Sequence, residues 1–126
     1  MTEHPAGRFR LLGPLGALAW LLWPLALSAH AHLEQSQPAE GANLNRAPEQ
    51  FVLKFSESAH LTALSVQKSG EHEARKIESL PAAASDQISV PAPRLEPGAY
   101  ELRYRVLSAD GHLVAGSVHF KISPPP

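Results

Sequence analysis

Hydrophobic and polar positions alternate with a period of two in several short runs between Phe51 and Ile122, and Pro, Gly and Ala/Ser clusters separate the runs. Such alternation marks half-buried strands, because successive side chains of extended backbone point to opposite faces. Phe51, Leu53 and Phe55 share one face of the first clear strand, Leu64 and Val66 one face of the next, and Ile88 and Val90 one face of a short later one. The strongest run is Ala99 to Leu107, where Tyr100, Leu102, Tyr104 and Val106 point one way and Glu101, Arg103 and Arg105 the other. It is launched by Leu95-Glu96-Pro97-Gly98, in which Pro97 presets the first central dihedral of a turn and Gly98 supplies a positive φ at the second. In the last run Val114, Gly116, Val118, Phe120 and Ile122 form one face and Ser117, His119 and Lys121 the other, before three prolines end the chain.

No stretch of this region sustains a 3.6-residue period, and Glu71 to Ser79 reads as a charged strand and turn. The pattern therefore predicts an all-β domain of six or seven short strands, a small antiparallel β-sandwich or barrel of Greek-key type. Tyr100 and Tyr104 belong to its core stripe.

The first thirty residues follow a different rule. Arg8 and Arg10 precede an apolar run from Leu11 to Leu27, and small residues Ser28 and Ala29 follow it. That order is the signature of a secretory signal peptide. A permanent membrane anchor is the competing reading, but the run is short for a bilayer span and Gly13, Pro14, Gly16 and Pro24 interrupt it. Cleavage after Ala31 best satisfies the small-x-small rule, and cleavage after Ala29 is the alternative. A histidine, His32 or His30, becomes the amino terminus either way.

Composition narrows the function. A chain of 126 residues has room for one small domain. It has no cysteine, which excludes disulfides, thiolate catalysis, zinc ribbons and iron–sulfur clusters, so a metal site must use nitrogen and oxygen ligands. With 11 Lys+Arg against 12 Asp+Glu there is no basic surplus of the kind a nucleic-acid binder concentrates on one face.

Three polar clusters carry chemistry: His30-Ala31-His32, Phe55-Ser56-Glu57 at the end of the first strong strand, and Asp110-Gly111-His112 between the last two strands. A β-sandwich brings strand ends together, so one metal site can draw on all three. An amino-terminal histidine is special because its α-amine and its own Nδ1 can close a chelate ring on one ion. The amine must lose a proton to bind, which favours a strongly binding metal. Adding Asp110 and His112 gives a nitrogen and oxygen set suited to the tetragonal preference of Cu(II), which also tops the divalent affinity order. The plain alternative is that Asp-Gly is a hairpin-turn signal and His112 an exposed loop residue. Glu57 reads as a solvated carboxylate at a strand end, or as a group that orients a histidine ring. His60, His72 and His119 read as surface residues.

The stretches His30-Ala31-His32-Leu33, Ser36-Gln37-Pro38-Ala39-Glu40-Gly41-Ala42, Phe55-Ser56-Glu57 and Val106 through Ser117 resemble, in this order, the CopC-like periplasmic copper-binding (copper resistance) proteins. The resemblance implies a seven-stranded Greek-key β-barrel of immunoglobulin-like shape that binds one Cu(II) through its amino-terminal histidine and an Asp-x-His pair. In the family that histidine lies eight residues before the proline of the Pro-Ala-Glu-Gly turn. Counting back from Pro38 gives His30, hence a signal peptide of residues 1–29 and a copper-binding domain of residues 30–126. The implied ligands are His30, Asp110 and His112, with Glu57 nearby and His32 auxiliary. Some members also carry a methionine-rich Cu(I) site; here the initiator Met1 is the single methionine, so that site is expected to be absent. The implied role is that of a periplasmic Cu(II) carrier or buffer in copper homeostasis, not an enzyme, which hands copper to an inner-membrane partner resembling CopD.

Two other functions fit parts of the pattern. A copper monooxygenase also uses an amino-terminal histidine chelate, but such enzymes need an exposed, often aromatic, substrate platform. Both tryptophans, Trp20 and Trp23, lie in the leader, and the Asp110 carboxylate would fill a position that oxygen needs. An immunoglobulin-like interaction domain with incidental histidines is the metal-free alternative.

Overall fold

The computed structural model describes residues 30–126; the signal-peptide expectation lies outside the described residues. Seven strands follow in chain order: β1 (Leu33–Gln37), β2 (Ala42–Leu44), β3 (Gln50–Lys68), β4 (Arg75–Lys76), β5 (Ser85–Pro91), β6 (Gly98–Ser108) and β7 (Leu113–Ile122). There is no helix among the described residues, and the charged stretch after Gly70 supplies the short β4, as its lack of helical period predicts.

The central departure from the sequence reading is β3. The runs around Phe51–Phe55 and Leu64–Val66 are two halves of one strand. Its inward residues are Phe51, Leu53, Phe55, Ala59 and Leu61 at odd positions, then Leu64 and Val66 at even ones. The parity changes where the pairing with β6 shifts register, between Leu61 and Ala63. An extra residue in one strand of a pair restores the apolar set to the core face and bends the strand. The first half of β3 pairs with β1 and β5, and the second half with β6 and β4. β3 thus belongs to both sides of the barrel and turns the sheet, whose main order is β1-β3-β6-β7-β2, around a single core. β2 closes against β7 in parallel.

The predicted faces hold. Tyr100, Leu102, Tyr104 and Val106 are buried while Arg103 and Arg105 are exposed, and Val118, Phe120 and Ile122 are buried opposite exposed His119 and Lys121. Tyr100 stacks on Phe120 at 5.5 Å, Phe55 meets Tyr104 edge-on at 5.5 Å, and Phe51 lies 6.1 Å from Phe120. The Tyr100 hydroxyl donates to the Glu96 carbonyl at 2.5 Å, so the turn that launches β6 is tied to the core residue that follows it. Gly98, the first residue of β6, has φ +150, positive as expected but more extended than the value of about +80° that the second central position of a type II turn takes. Tyr104 faces Gly116 across the β6–β7 pair, and its ring occupies the space a side chain there would need.

Candidate metal centre

β6 and β7 are joined by a tight loop. Leu107 pairs with Leu113, the Ser108 nitrogen donates to the His112 carbonyl at 2.8 Å, and the Gly111 nitrogen donates to the Ser108 carbonyl at 2.9 Å. Gly111 has φ +90, the left-handed conformation that a three-residue hairpin loop with a bulge requires. The turn reading of Asp-Gly is therefore right, and the turn is also what builds the cluster. Asp110 and His112 meet by loop geometry rather than by sharing a strand face. Asp110 Oδ1 accepts from the His112 backbone nitrogen at 3.1 Å, and Oδ2 lies 3.0 Å from His112 Nδ1.

The third member arrives from the other end of the chain. His30 Nδ1 lies 3.1 Å from Asp110 Oδ2, and the two imidazole rings meet edge-on with centroids 4.8 Å apart. One ligand atom from each of His30, Asp110 and His112 falls within 4.8 Å of the others. Separations near 3 Å suit neighbouring ligands on one ion with bonds of about 2.0–2.2 Å. The side chains of His30 and His112 are 47% and 67% exposed, whereas that of Asp110 is only 22% exposed, covered by the rings that flank it. Burial works to raise the Asp110 pKa, but hydrogen bonds from the His112 backbone and ring, with the charges of His112 and His30, outweigh it and hold the carboxyl below its ordinary value. A carboxylate that stays ionised between two imidazoles is ready to bind a cation.

Two serines hold the amino-terminal segment in place. The Ala31 nitrogen donates to Ser108 Oγ at 2.9 Å, and the His32 nitrogen donates to Ser56 Oγ at 2.9 Å while the Ser56 nitrogen returns a bond to the His32 carbonyl at 2.7 Å. Ala31 is fully buried between two exposed histidines. Ser56 stands inside the Phe55-Ser56-Glu57 cluster but has no role in the sequence reading, and Ser108 is not singled out there, although a signal existed. Continuing the alternation of Tyr104 and Val106 puts Ser108 on the core face, and it is the buried polar residue of the described chain, 3% exposed.

His32 and Glu57 stand outside the three-residue cluster, Glu57 half-buried in β3 beside the serine that anchors His32. His72 is exposed, as expected, while His60 is half-buried, opposite Leu107 on β6. His119 is exposed but not idle: its Nδ1 lies 3.2 Å from Glu40 Oε2 and its Nε2 3.5 Å from Glu101 Oε2, and its backbone nitrogen donates to Glu40 Oε1 at 3.0 Å. The bond from the His119 backbone is the first cause that lowers the Glu40 pKa, ahead of opposing desolvation.

Fold and cluster together define a small, cysteine-free β-barrel protein with an exposed group of two histidines and one aspartate that could hold a metal ion. Residues 33–123 match the CopC domain, and the chain belongs to the CopC family. It is 36% identical over 99 residues to Protein YobA of Escherichia coli strain K12, covering 75% of this chain and 79% of that protein. It is 30% identical over 113 residues to Copper resistance protein C of Pseudomonas syringae pv. tomato, covering 82% of this chain and 89% of that one. Among solved structures, PcoC of Escherichia coli, a methionine-rich copper resistance protein, superposes with a TM-score of 0.56 at 27% identity, covering 75% of this chain and all (100%) of that one. CopC from Methylosinus trichosporium OB3b gives a TM-score of 0.62 at 24% identity, covering 75% and 95%, and supports the β-barrel fold. Unlike the methionine-rich PcoC, this chain has no methionine after Met1.

Proposed function

We propose that this protein is a periplasmic Cu(II)-binding protein of copper homeostasis and resistance, and that one ion is its cargo, held by His30, Asp110 and His112. The observation that carries the reading is the meeting of His30 with the Asp110–His112 loop across almost the whole domain, with Nδ1–Oδ2 separations of 3.1 and 3.0 Å. Family membership and the copper resistance protein among its relatives support the copper assignment. Removal of residues 1–29 leaves the α-amine of His30 beside its own Nδ1, completing a set of three nitrogens and one oxygen suited to a tetragonal ion. The same processing places the protein in the periplasm.

The open position of the imidazoles suits a carrier or buffer, which must take up and release its ion, and a CopD-like inner-membrane transporter is the acceptor this reading names. Tyr100 and Tyr104 are buried, which supports binding over oxygen chemistry on a polymeric substrate. His32 and Glu57 act from outside the ligand set.

Cu(II) titration and EPR of the protein processed to His30 test the assignment. His112→Ala lowers the affinity by more than the ~10–100-fold that loss of an outer partner costs, while His119→Ala leaves it unchanged. Equal losses would refute the ligand set. Tight binding that survives an extra residue placed ahead of His30 would refute the amine chelate.

A further inference from the structure

A chain that begins His30-Ala31-His32 has two ways to hold Cu(II). The first is the cluster above. The second needs only the arm: the α-amine, the backbone nitrogens of Ala31 and His32, and the imidazole of His32 can surround one ion in a plane. In that mode each of the two amide N–H bonds breaks, its proton passes to water, and the nitrogen electron pair forms the bond to the metal. Both amide nitrogens must then face the same ion.

We propose that Ser56 and Ser108 are positioning residues that exclude this second mode and commit the arm to His30, Asp110 and His112. The inference rests on the copper reading and on a mature chain beginning at His30. Successive N–H groups of extended backbone point to opposite sides, and here each side has an acceptor. The Ala31 nitrogen donates to Ser108 Oγ and the His32 nitrogen to Ser56 Oγ, both at 2.9 Å. The two acceptors lie on different strands, β6 and β3, so the amides cannot converge on one ion while these bonds persist. Ala31 is 0% exposed and Ser108 3%, which closes the first amide to solvent and to metal alike. Ser108 also receives the Gly111 nitrogen on its carbonyl and gives its own nitrogen to His112. One residue therefore ties the arm that carries His30 to the loop that carries Asp110 and His112.

The test has two independent parts. In the metal-free protein processed to His30, amide hydrogen exchange reports the bonds directly. The Ala31 and His32 amides are protected, Ser108→Ala reduces the protection of Ala31 at least about tenfold, Ser56→Ala does so for His32, and Ser108→Thr restores it. Rapid exchange at both amides in the unaltered protein would overturn the proposal without touching the copper assignment.

In the second part Cu(II) is added and followed by visible absorption and EPR, with Ni(II) as a second probe. The unaltered protein gives a Cu(II) spectrum that changes with His112→Ala and not with His32→Ala. The Ser56→Ala/Ser108→Ala variant, shown by circular dichroism to be folded, gives an absorption band at shorter wavelength that depends on His32 and no longer on His112, and it forms a yellow, diamagnetic Ni(II) complex. A folded double variant that keeps the His112-dependent spectrum overturns the proposal. Should the double variant not fold, Ser56→Ala alone, at an exposed position, decides: it loses protection at His32 while Ala31 stays protected and the Cu(II) spectrum stays dependent on His112, and a gain of His32 dependence there overturns the claim that Ser108 closes the first amide. An unaltered protein that binds no Cu(II) while its amides remain protected refutes the copper reading and leaves the positioning of the arm standing.

Discussion

Replacing Gly116 with alanine is the sharpest test of how the β6–β7 hairpin is packed. A Cβ at this position would lie 2.3 Å from the Tyr104 hydroxyl oxygen, 2.5 Å from its Cζ and 3.0 Å from its Cε1. Real Cβ atoms do not approach so closely, so the ring must move. It has little freedom: Tyr104 is 8% exposed and its ring sits edge-on to Phe55 at 5.5 Å. Overpacking of this kind costs about 1–3 kcal/mol. In a domain of this size each kcal/mol lowers Tm by roughly 4–8 °C, so the Tm followed by circular dichroism falls by roughly 4–24 °C. The Tyr104→Leu/Gly116→Ala double variant loses less than the sum of its parts, because the two side chains compete for one space. Gly116 lies within β7, outside the Asp110–His112 loop, so the Cu(II) affinity of the proposed site, measured below the transition, is unchanged. Additive losses, or a Gly116→Ala protein with unaltered Tm, would refute this account.

Tyr100→Phe removes the bond to the Glu96 carbonyl and costs about 0.5–1.5 kcal/mol, read by urea denaturation; no loss would mean that the turn before β6 is held by other contacts. Phe120→Ala, at a buried ring packed against Tyr100 and Phe51, costs about 3–5 kcal/mol in the same assay. The lowered pKa of Glu40 means that its contribution to stability is present above the ordinary carboxylate value, about 4.3, and fades as pH falls through the lower folded value. Glu40→Gln therefore flattens the acid side of the Tm–pH curve, and an unchanged acid limb would show that its bonds to His119 carry no pH-linked stability. Asp110→Asn removes the carboxylate between His30 and His112 that the proposed site uses as its anionic ligand, and weakens Cu(II) binding more than Glu57→Gln, as measured by competition with a chelator of known affinity.

Most of the fold was legible because burial in a curled sheet is written with a period of two. The faces of β6 and β7 follow from Tyr100 to Val106 and from Val118 to Ile122 without knowledge of their partners. The continuity of β3 was not legible. Its bulge breaks the period, and a break in period looks the same in sequence as a turn between two strands. The candidate ligands were legible as residue types, since His30, Asp110 and His112 stand in segments whose chemistry is unusual for loops and termini. The serines were harder to find, because a hydroxyl acquires its role only from the backbone group that reaches it.

The sequence alone determined the all-β class, the inward and outward faces of its strongest strands, and a metal chemistry restricted to nitrogen and oxygen by the absence of cysteine. Alternation and composition are local properties, so one dimension suffices for them. Only the tertiary structure decided that His30 meets Asp110 and His112, that the contact between arm and loop passes through Ser108 over a separation of 77 residues, and that Glu40 reaches His119 over a separation of 79. Those pairings depend on which strands lie side by side, and strand order in a mostly antiparallel barrel is settled by the packing of the whole core rather than by any single segment.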